Sequence, residues 1–278
     1  MALPNLTDLL INGTEVYARC GATLEQQPSF IKSNLETTEL AKRLIGLGGG
    51  HLDFANPMVD TVLYEDSLPL PKGVLSIRVH AVIDAFVATK TLISIRIQRS
   101  EIHTFSFGQF ESELLTLASG QGSFVISGAT GSGKTSLLRK LLSATPQLRT
   151  VLLEDTQELR GLKGHFLELS SRAANTEGYG EISLQNVLTH TLRMRPDRIV
   201  LGEVRGPEIF TLLQALNLGV KQVACTIHAN SAFQVRDRML ALWLQATQSV
   251  NGFDQLLAQN QITVVHLKDF EVTEVQVL

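Results

Sequence analysis

The sequence predicts an α/β protein of two domains, in which a domain with a mainly parallel β-sheet follows a smaller α+β domain. The first hundred residues show the alternating apolar pattern of half-buried strands. From about Glu111 onward, short apolar strands alternate with helices, and GATGSGKT occupies residues 128–135. We therefore expect an N-terminal α+β domain over residues 1–105 and a P-loop nucleotide-binding domain over residues 106–278.

The composition is that of a soluble globular chain, with 44% hydrophobic and 18% charged residues among 278. A net charge of −3 gives no support for broad nucleic-acid binding. Cys20 and Cys225 are the only cysteines, which argues against a disulfide framework and favours a reducing compartment. The sequence shows neither a signal-peptide pattern nor an apolar run of the roughly 18 residues typical of a membrane helix. We expect a cytoplasmic protein that contacts the membrane only through a partner.

The elements of the N-terminal domain follow from local patterns. DLLINGTEVYAR predicts a hairpin that turns at Asn12-Gly13, because both residues tolerate positive φ. ETTELAKRLIGLGGG predicts a helix that stops at the glycines from Gly48. VLSIRVHAVI and TLISIRIQR alternate apolar and polar residues and predict two strands, and SEIHTFSFGQFES, which has no clear period, predicts the linker.

The second domain alternates strands and helices. SFVIS, TVLLED, RIVLGE and VACTIH predict strands, and ITVVHLKDFEVTEVQVL predicts a terminal strand pair. TSLLRKLLSA, QNVLTHTLRMR, PEIFTLLQALNLG and AFQVRDRMLALWL predict the intervening helices. This alternation indicates a parallel sheet covered on both faces, with ligands bound at the carboxyl ends of its strands.

The glycine-rich loop between the first strand and helix of this domain predicts a phosphate site. Its glycines let several N–H groups point at one anion, and the helix beginning near Lys134 adds its positive dipole end. Lys134 would reach the β- and γ-phosphates, and the Thr135 hydroxyl would bind Mg²⁺. The alternative is a glycine-rich turn with a surface lysine. The predicted nucleotide ligands in this loop are Gly128, Ala129, Thr130, Gly131, Ser132, Gly133, Lys134, Thr135 and Ser136.

Acidic residues follow two of the predicted strands. Glu154 and Asp155 end one strand, with Glu158 slightly beyond, and Glu203 ends another after Gly202. Hydrolysis needs a carboxylate to orient or deprotonate water, and Mg²⁺ needs oxygen ligands. We expect Glu203 to be the base, Glu154 a second catalytic carboxylate, and Thr135, Asp155 and Glu203 the metal ligands. Acidic residues after strands are often only solvated, which is the competing interpretation.

A histidine and several arginines complete the set of candidates. His228 ends the strand in CTIHAN and is either a γ-phosphate sensor or a packed side chain. Arg193, Arg195 and Arg205 are near the same edge in sequence. One of them could neutralise charge on the transferring phosphoryl group, and we expect Arg205 to take this catalytic role.

Taken together, GATGSGKT, LLEDTQEL, LRMRPDRIVLGEVRGPE, LLQALNLG and CTIHANS resemble the secretion-superfamily ATPases of type II and type IV secretion and pilus assembly. LRMRPDRIVLGEVRG is most similar to the tight-adherence (Flp) pilus assembly branch. The resemblance is strongest from Ser123 to about Arg238 and weaker in the first hundred residues.

The resemblance implies a RecA-like second domain, a hexameric ring and hydrolysis of ATP with Mg²⁺. It implies force applied to an integral inner-membrane platform protein, from the cytoplasmic face of that membrane. By motif, Glu154, Asp155 and Glu158 match an aspartate box. Gly202-Glu203 match an atypical Walker B motif, and His228 matches a histidine box. Arg78 and Arg96 match N-domain arginines that approach the phosphates.

Two other functions remain open at this point. The chain reads Asn217-Leu218-Gly219-Val220-Lys221-Gln222 where the family commonly has a run containing a further histidine. A nucleotide-binding regulatory scaffold with weak hydrolysis would fit that loss. A RecA-type nucleic-acid motor shares the domain architecture, but the chain is net acidic and has no basic stripe interleaved with aromatic residues.

Overall fold

The structure is a computed structural model that describes residues 6–20, 23–99, 105, 107–172, 174 and 179–278. It divides into two compact units, Met1–Glu101 and Ile102–Leu278. Part of the predicted linker, residues 100–104 and 106, lies outside the described residues.

The N-terminal unit is an antiparallel sheet that carries one helix. The strand order is β3-β2-β1-β6-β5-β4. Ile11, Ile45, Val79 and Ile93 are fully buried between the sheet and the helix, so the alternating apolar positions of the sequence form this core. The elements are β1 Leu6–Asn12, β2 Glu15–Cys20, β3 Thr23–Gln27, α1 Asn34–Leu47, β4 Met58–Leu63, β5 Val74–Val82 and β6 Leu92–Arg99.

The predicted hairpin between β1 and β2 is present, but its turn lies one residue later than expected. Asn12 pairs with Glu15, so the two loop residues are Gly13 and Thr14. Gly13 has φ +61°, which a glycine adopts without the steric cost of a side chain. Its carbonyl accepts a 2.6 Å hydrogen bond from Thr37 Oγ1, so the turn is fixed to α1.

The second unit is a seven-stranded sheet with the strand order β13-β12-β7-β11-β10-β8-β9. The neighbours from β12 to β9 run parallel, and only β13 is antiparallel to its neighbour. The strands of this unit are β7 Phe124–Gly128, β8 Thr150–Glu154, β9 Phe166–Ser170, β10 Arg198–Leu201, β11 Gln222–Ile227, β12 Thr263–Lys268 and β13 Glu271–Val277. The helices are α2 Glu111–Ala118, α3 Lys134–Ser143, α4 Leu184–Thr191, α5 Glu208–Asn217, α6 Phe233–Thr247 and α7 Phe253–Asn260.

The central strands of this sheet are buried on both faces. Every residue of β7, β8, β10 and β11 is buried, as expected of parallel strands covered by helices on both sides. Val125 and Ile199 pack into the core on one face, and Ile126 and Val200 pack into the core on the other. The sequence patterns missed β3, β4, β9, α2 and α7.

A buried arginine supports the sheet at the amino ends of its strands. Arg198 is fully buried, donates to Thr145 Oγ1 and Thr150 Oγ1 at 3.0 Å each, and reaches Gln222 Oε1 at 3.2 Å. Burial lowers the pKa of Arg198 to about 10. Thr145 lies two residues beyond the end of α3, where the partial negative charge of the helix dipole favours a cation. Arg198 therefore joins three strands to the helix that follows the glycine loop.

Candidate functional site

The strand order brings the predicted site residues to one edge of the sheet. β8, β10, β11 and β7 are consecutive neighbours and run parallel, so their carboxyl ends lie together. Glu154 is the last residue of β8, Glu203 lies two residues beyond β10, and His228 directly follows β11. The glycine loop leaves β7 at Gly128. In open α/β sheets this edge is where ligands bind.

The glycine loop has the backbone of an anion cradle. Gly128, Gly131 and Gly133 have φ of +150°, +80° and +97°. A Cβ on Gly128 would overlap Leu267 O and come within 2.5 Å of Ser132 Oγ, so only glycine fits where the chain leaves the strand. A Cβ on Gly133 would lie 2.5 Å from the Phe270 ring. The loop thus needs glycine at positions where its N–H groups curl around one centre.

Lys134 is the first residue of α3 and is buried. Its Nζ donates to the carbonyls of Gly128 at 3.0 Å and Ala129 at 2.8 Å, and lies 3.4 Å from His228 Nδ1. Ser132 Oγ is enclosed and has no hydrogen-bond partner among the described residues. A lysine held inside the loop at a helix N-terminus fits an anionic ligand, and nothing in the loop opposes a phosphate.

A cleft of about 450 Å³ opens beside this loop. Gly128, Ala129, His228 and Asn230 line it on the loop side, and Gln234 lines it from α6. That volume lies in the range of small-molecule sites, which is roughly 300–1,000 Å³. The cleft therefore offers space for a ligand directly next to the proposed phosphate site.

Glu203 lies between two basic side chains. Its Oε2 accepts a 2.5 Å charge-assisted hydrogen bond from Arg205 Nη2, and its Oε1 lies 2.8 Å from His228 Nε2. Glu203 Oε1 is enclosed and has no hydrogen bond of good geometry from the described residues. Pairing with Glu203 raises the pKa of Arg205. The arrangement holds each carboxylate oxygen of Glu203 against one basic side chain.

His228 connects the glycine loop to Glu203. Burial is the main cause that lowers the pKa of His228, and the neighbouring Lys134 cation adds to it, while Glu203 acts in the opposite direction. We therefore expect a neutral imidazole at pH 7, which can accept at one nitrogen and donate at the other. A neutral side chain here can report on a nearby phosphate without adding a fixed charge.

Replacing His228 with alanine is expected to reduce ATP turnover roughly tenfold to a hundredfold and to leave ADP affinity nearly unchanged. Contacts that strengthen only in the transition state act on rate more than on binding. Steady-state phosphate release and ADP titration on the same preparation would check this. The exposed His190 on α4 provides a matched control as His190→Ala. Unchanged turnover at saturating ATP, with ADP and ATP affinity equally reduced, would indicate a purely structural histidine.

Glu154 is buried and bound to backbone amides. Its Oε1 accepts from the N–H groups of Glu158 at 3.1 Å and Leu159 at 3.2 Å, and its Oε2 accepts from Leu159 N at 3.0 Å. A Cβ on Gly202 would lie 2.7 Å from Glu154 Cγ, so this side chain packs beneath the loop that carries Glu203. These contacts favour a positioning role over direct proton transfer. The predicted catalytic role of Glu154 stays a prediction.

Burial raises the pKa of Glu154 from its ordinary 4.5 to about 8, against the opposing effect of the Leu159 amide. The folded chain then keeps a proton that the unfolded chain releases between these values, so stability falls as pH rises through this window. We expect Glu154→Gln to remove this pH dependence of stability. The variant should have a free energy of unfolding about 1–3 kcal/mol higher than wild type between pH 5 and pH 8. Thermal unfolding across this pH range would measure it, with the exposed Glu111→Gln as control. Parallel pH profiles for wild type and Glu154→Gln would contradict the raised pKa.

The predicted metal ligands do not form a preformed cluster. Among the described residues, no group of three or more His, Cys, Asp and Glu side chains could hold a metal ion. Asp155 Oδ1 accepts a 2.6 Å hydrogen bond from Ser171 Oγ, and Thr135 lies in the first turn of α3. This donor set fits Mg²⁺, which keeps several waters and is held by one or two protein oxygens plus substrate phosphates. Thr135, Asp155 and Glu203 remain the predicted ligands.

The other predicted arginines fall into two groups. Arg78 on β5 and Arg96 on β6 are exposed cross-strand neighbours in the N-terminal unit, and Arg78 Nη2 lies 3.9 Å from Asp60 Oδ1. Arg193 and Arg195 precede β10 and therefore lie at the amino ends of the strands. The expectation that these two lie at the same edge as His228 is wrong within one chain, because only residues that follow a strand reach the carboxyl edge.

One contact with the glycine loop was not anticipated from the sequence. The β12–β13 hairpin turns at Asp269 and Phe270, both with positive φ, and Phe270 N donates to Ser132 O at 3.1 Å. The Phe270 ring packs at Gly133. Turns of this kind usually contain glycine or asparagine, so the residue types gave no signal.

The fold and the loop together define a P-loop α/β protein with the site at the carboxyl edge of its parallel sheet. Residues 68–269 match the family model described as type II/IV secretion system protein. The chain belongs to that family. None of the described helices has the length and apolar character needed to cross a membrane.

Among curated relatives, a putative conjugal transfer protein of Mycobacterium tuberculosis is 34% identical over 266 residues, which cover 92% of this chain and 73% of the relative. Protein VirB11 of Agrobacterium fabrum is 32% identical over 160 residues, which cover 57% of this chain and 46% of that protein. The long match to the first relative includes the N-terminal unit as well as the P-loop unit.

Two solved structures show the same fold. The VirB11 ATPase from the Brucella suis type IV secretion system, in complex with sulphate, has a TM-score of 0.50 and 21% identity, with 99% of this chain and 90% of that chain covered. The pilus retraction motor PilT with bound ADP has a TM-score of 0.67 and 18% identity, with 94% and 74% covered. The predicted fold class is confirmed, including the RecA-like P-loop domain, and so is membership of the secretion superfamily.

Proposed function

We propose that this chain is an ATP-hydrolysing motor of a type II/IV secretion-family machine, which powers pilus assembly or protein secretion across the bacterial envelope. The observation that carries the proposal is the convergence of Lys134, Glu203 and His228 beside the glycine loop. A phosphate cradle, a candidate base and a neutral histidine within hydrogen-bond reach of both are the groups that phosphoryl transfer to water requires.

The position of each residue indicates its proposed role in hydrolysis. The loop amides and Lys134 would bind the β- and γ-phosphates. Thr135 and Asp155 would hold Mg²⁺, which would neutralise phosphate charge. Glu203 orients or deprotonates the attacking water, because it follows β10 at the carboxyl edge of the sheet and its carboxylate lies beside His228 and the glycine loop. Arg205 holds the Glu203 carboxylate in place through its charge-assisted hydrogen bond.

The proposed assembly is a homohexamer at the cytoplasmic face of the inner membrane, acting on an integral platform protein. A pilus retraction motor with bound ADP has the same fold, which supports the choice of nucleotide. Arg78 and Arg96 are exposed and are proposed to approach a phosphate in the assembled ring. An arginine supplied from outside a P-loop site increases the rate of hydrolysis by a factor of roughly 10³–10⁵.

Conjugative transfer is a third candidate for the process that the chain powers. A curated relative that covers 92% of this chain is named a putative conjugal transfer protein, which supports conjugative transfer beside pilus assembly and protein secretion. Deleting the gene and measuring surface pili, secreted protein and transfer frequency in the same strain would distinguish the three. Loss of one output alone would identify the machine.

The regulatory-scaffold alternative has less support than the sequence suggested. Residues 217–222, which lack the further histidine common in the family, connect α5 to the start of β11. His228, by contrast, follows the end of that strand. Six strand residues at roughly 3.3 Å each span about 20 Å. A histidine in that run would therefore lie at the opposite edge of the same chain's sheet, away from its own glycine loop. The nucleic-acid motor is the third alternative, and the net charge of −3 argues against it.

If the ring supplies arginines between subunits, specific ATPase activity should rise with protein concentration as the ring forms. Adding Lys134→Ala subunits to wild type should lower activity by more than simple dilution. Sedimentation of the ATP-bound protein beside phosphate release across a concentration series would test both expectations. A monomer with concentration-independent turnover would contradict the proposed ring. It would not contradict the assignment of the nucleotide site. A protein that binds ATP without releasing phosphate at any concentration would favour the scaffold.

A further inference from the structure

Glu208, the first residue of α5, is a buried carboxylate that bonds the loop before its own helix. It is 8% exposed, and its Oε1 accepts from the N–H groups of Arg205 and Gly206, at 2.8 Å each. A buried carboxylate is stable only when hydrogen bonds or a cation compensate for its lost hydration. Here two backbone amides and the positive end of the α5 dipole provide that compensation.

The contacts of Glu208 differ from ordinary helix capping. The residue before α5 is Pro207, which makes no side-chain cap hydrogen bond. In a capping box, a side chain in the first turn returns to the amide of the cap residue. Glu208 instead reaches past Pro207 to the two residues before it. A Cβ on Gly206 would lie 3.0 Å from Glu208 Oε2, so this loop approaches the carboxylate closely.

The other end of the same loop is fixed by β11. Thr226 Oγ1 donates to Gly202 O at 2.6 Å, and Val204 N donates to Thr226 O at 2.9 Å. Glu203 therefore lies between a segment held by Thr226 and a segment held by Glu208. Without Glu208, the backbone after Val204 would lose the two side-chain hydrogen bonds that fix it.

On this basis we propose that Glu208 is a positioning residue for hydrolysis, which rests on the proposed ATPase function. By fixing the amides of Arg205 and Gly206, it keeps the Arg205 guanidinium on Glu203 Oε2 and aims Glu203 Oε1 toward His228. A displacement of about 1 Å in a catalytic group can cost on the order of a hundredfold in rate. Glu208 also lines a 430 Å³ cleft together with Arg205 and Asp155, so the loop it holds borders open space into which it could relax.

The test compares Glu208→Ala, Glu208→Gln and a control, Glu181→Ala, which removes an exposed carboxylate from the same cleft. Glu208→Ala should lower kcat at least about tenfold, with the KM for ATP and the ADP affinity changed less than about threefold. Glu208→Gln should restore most of the rate, because its amide oxygen can accept the same two hydrogen bonds. The control should retain wild-type kcat.

Hydrogen–deuterium exchange without nucleotide gives a readout that does not depend on turnover. Amides in residues 203–208 should exchange faster in Glu208→Ala than in wild type, and Glu208→Gln should stay close to wild type. If Glu208→Ala does not fold, Glu208→Asp, whose shorter side chain cannot reach both amides, should show the same loss of kcat and the same faster exchange.

Several results would overturn the positioning role. These are unchanged kcat in a folded Glu208→Ala protein, an effect confined to KM, or equal losses in the Ala and Gln variants with unaltered exchange. Absence of turnover in wild type would instead contradict the ATPase function, while the exchange comparison would still decide whether Glu208 holds the loop.

Discussion

Replacing Lys134 with alanine is expected to lower ATP turnover at least about a hundredfold, because it removes a charge-assisted contact to the β- and γ-phosphates. The structure adds a second reason. Lys134 Nζ also bonds the carbonyls of Gly128 and Ala129 and lies next to His228, so its loss alters the loop and the neighbouring imidazole together. We therefore expect weaker ATP binding as well as slower hydrolysis. Phosphate release and nucleotide titration would measure the two effects.

Lys140→Ala is the matched control for this experiment. Lys140 lies in the last turn of the same helix, and its Nζ sits 4.6 Å from the Phe107 ring centroid, away from the loop. It should retain near wild-type turnover. A Lys134→Ala protein with near wild-type activity would refute the assignment of the phosphate loop.

Replacing Glu203 with glutamine is expected to abolish hydrolysis while ATP still binds. The substitution keeps the shape of the side chain and removes the base, and proton transfer by a positioned group contributes typically about 10²–10⁴-fold. It also removes the negative charge that pairs with Arg205, so part of the loss comes from a reoriented guanidinium. ATP affinity and turnover should be measured on one preparation, with the exposed Glu113→Gln on α2 as control.

Turnover that survives in Glu203→Gln would show that the base lies elsewhere. Asp155 would then be the next candidate, because its carboxylate is exposed near the same strand ends. Glu154 would follow it, since both of its oxygens bond backbone amides in the folded chain.

The sequence predicted those parts of the protein that depend on strong local patterns. The β7–loop–α3 segment follows from glycine spacing and from five consecutive buried strand residues, and the strand ends at Glu154 and His228 follow from short apolar runs. β9 was not predicted because it is short and none of its five residues is fully buried. α7, with eight residues, is too short for a helical period to stand out.

The contacts that hold the site together could not be read from residue types. The hydrogen bonds of Glu154 and Glu208 to backbone amides depend on how two loops fold back over their strands. The packing of Phe270 on Gly133 depends on a turn made of two non-glycine residues with positive φ. The proposed roles of Arg78 and Arg96 depend on an assembled ring, and they stay predictions.

A structure of the protein with Mg²⁺ and a non-hydrolysable ATP analogue would test the central claim most directly. The expected result is a triphosphate within residues 128–136, with Lys134 Nζ moved from the carbonyls of Gly128 and Ala129 to phosphate oxygens at about 2.7–3.0 Å. A water in line with the γ-phosphate should lie within about 3 Å of Glu203 Oε1. A nucleotide bound elsewhere, or one bound here with Lys134 unmoved and Glu203 turned away from the γ-phosphate, would contradict it.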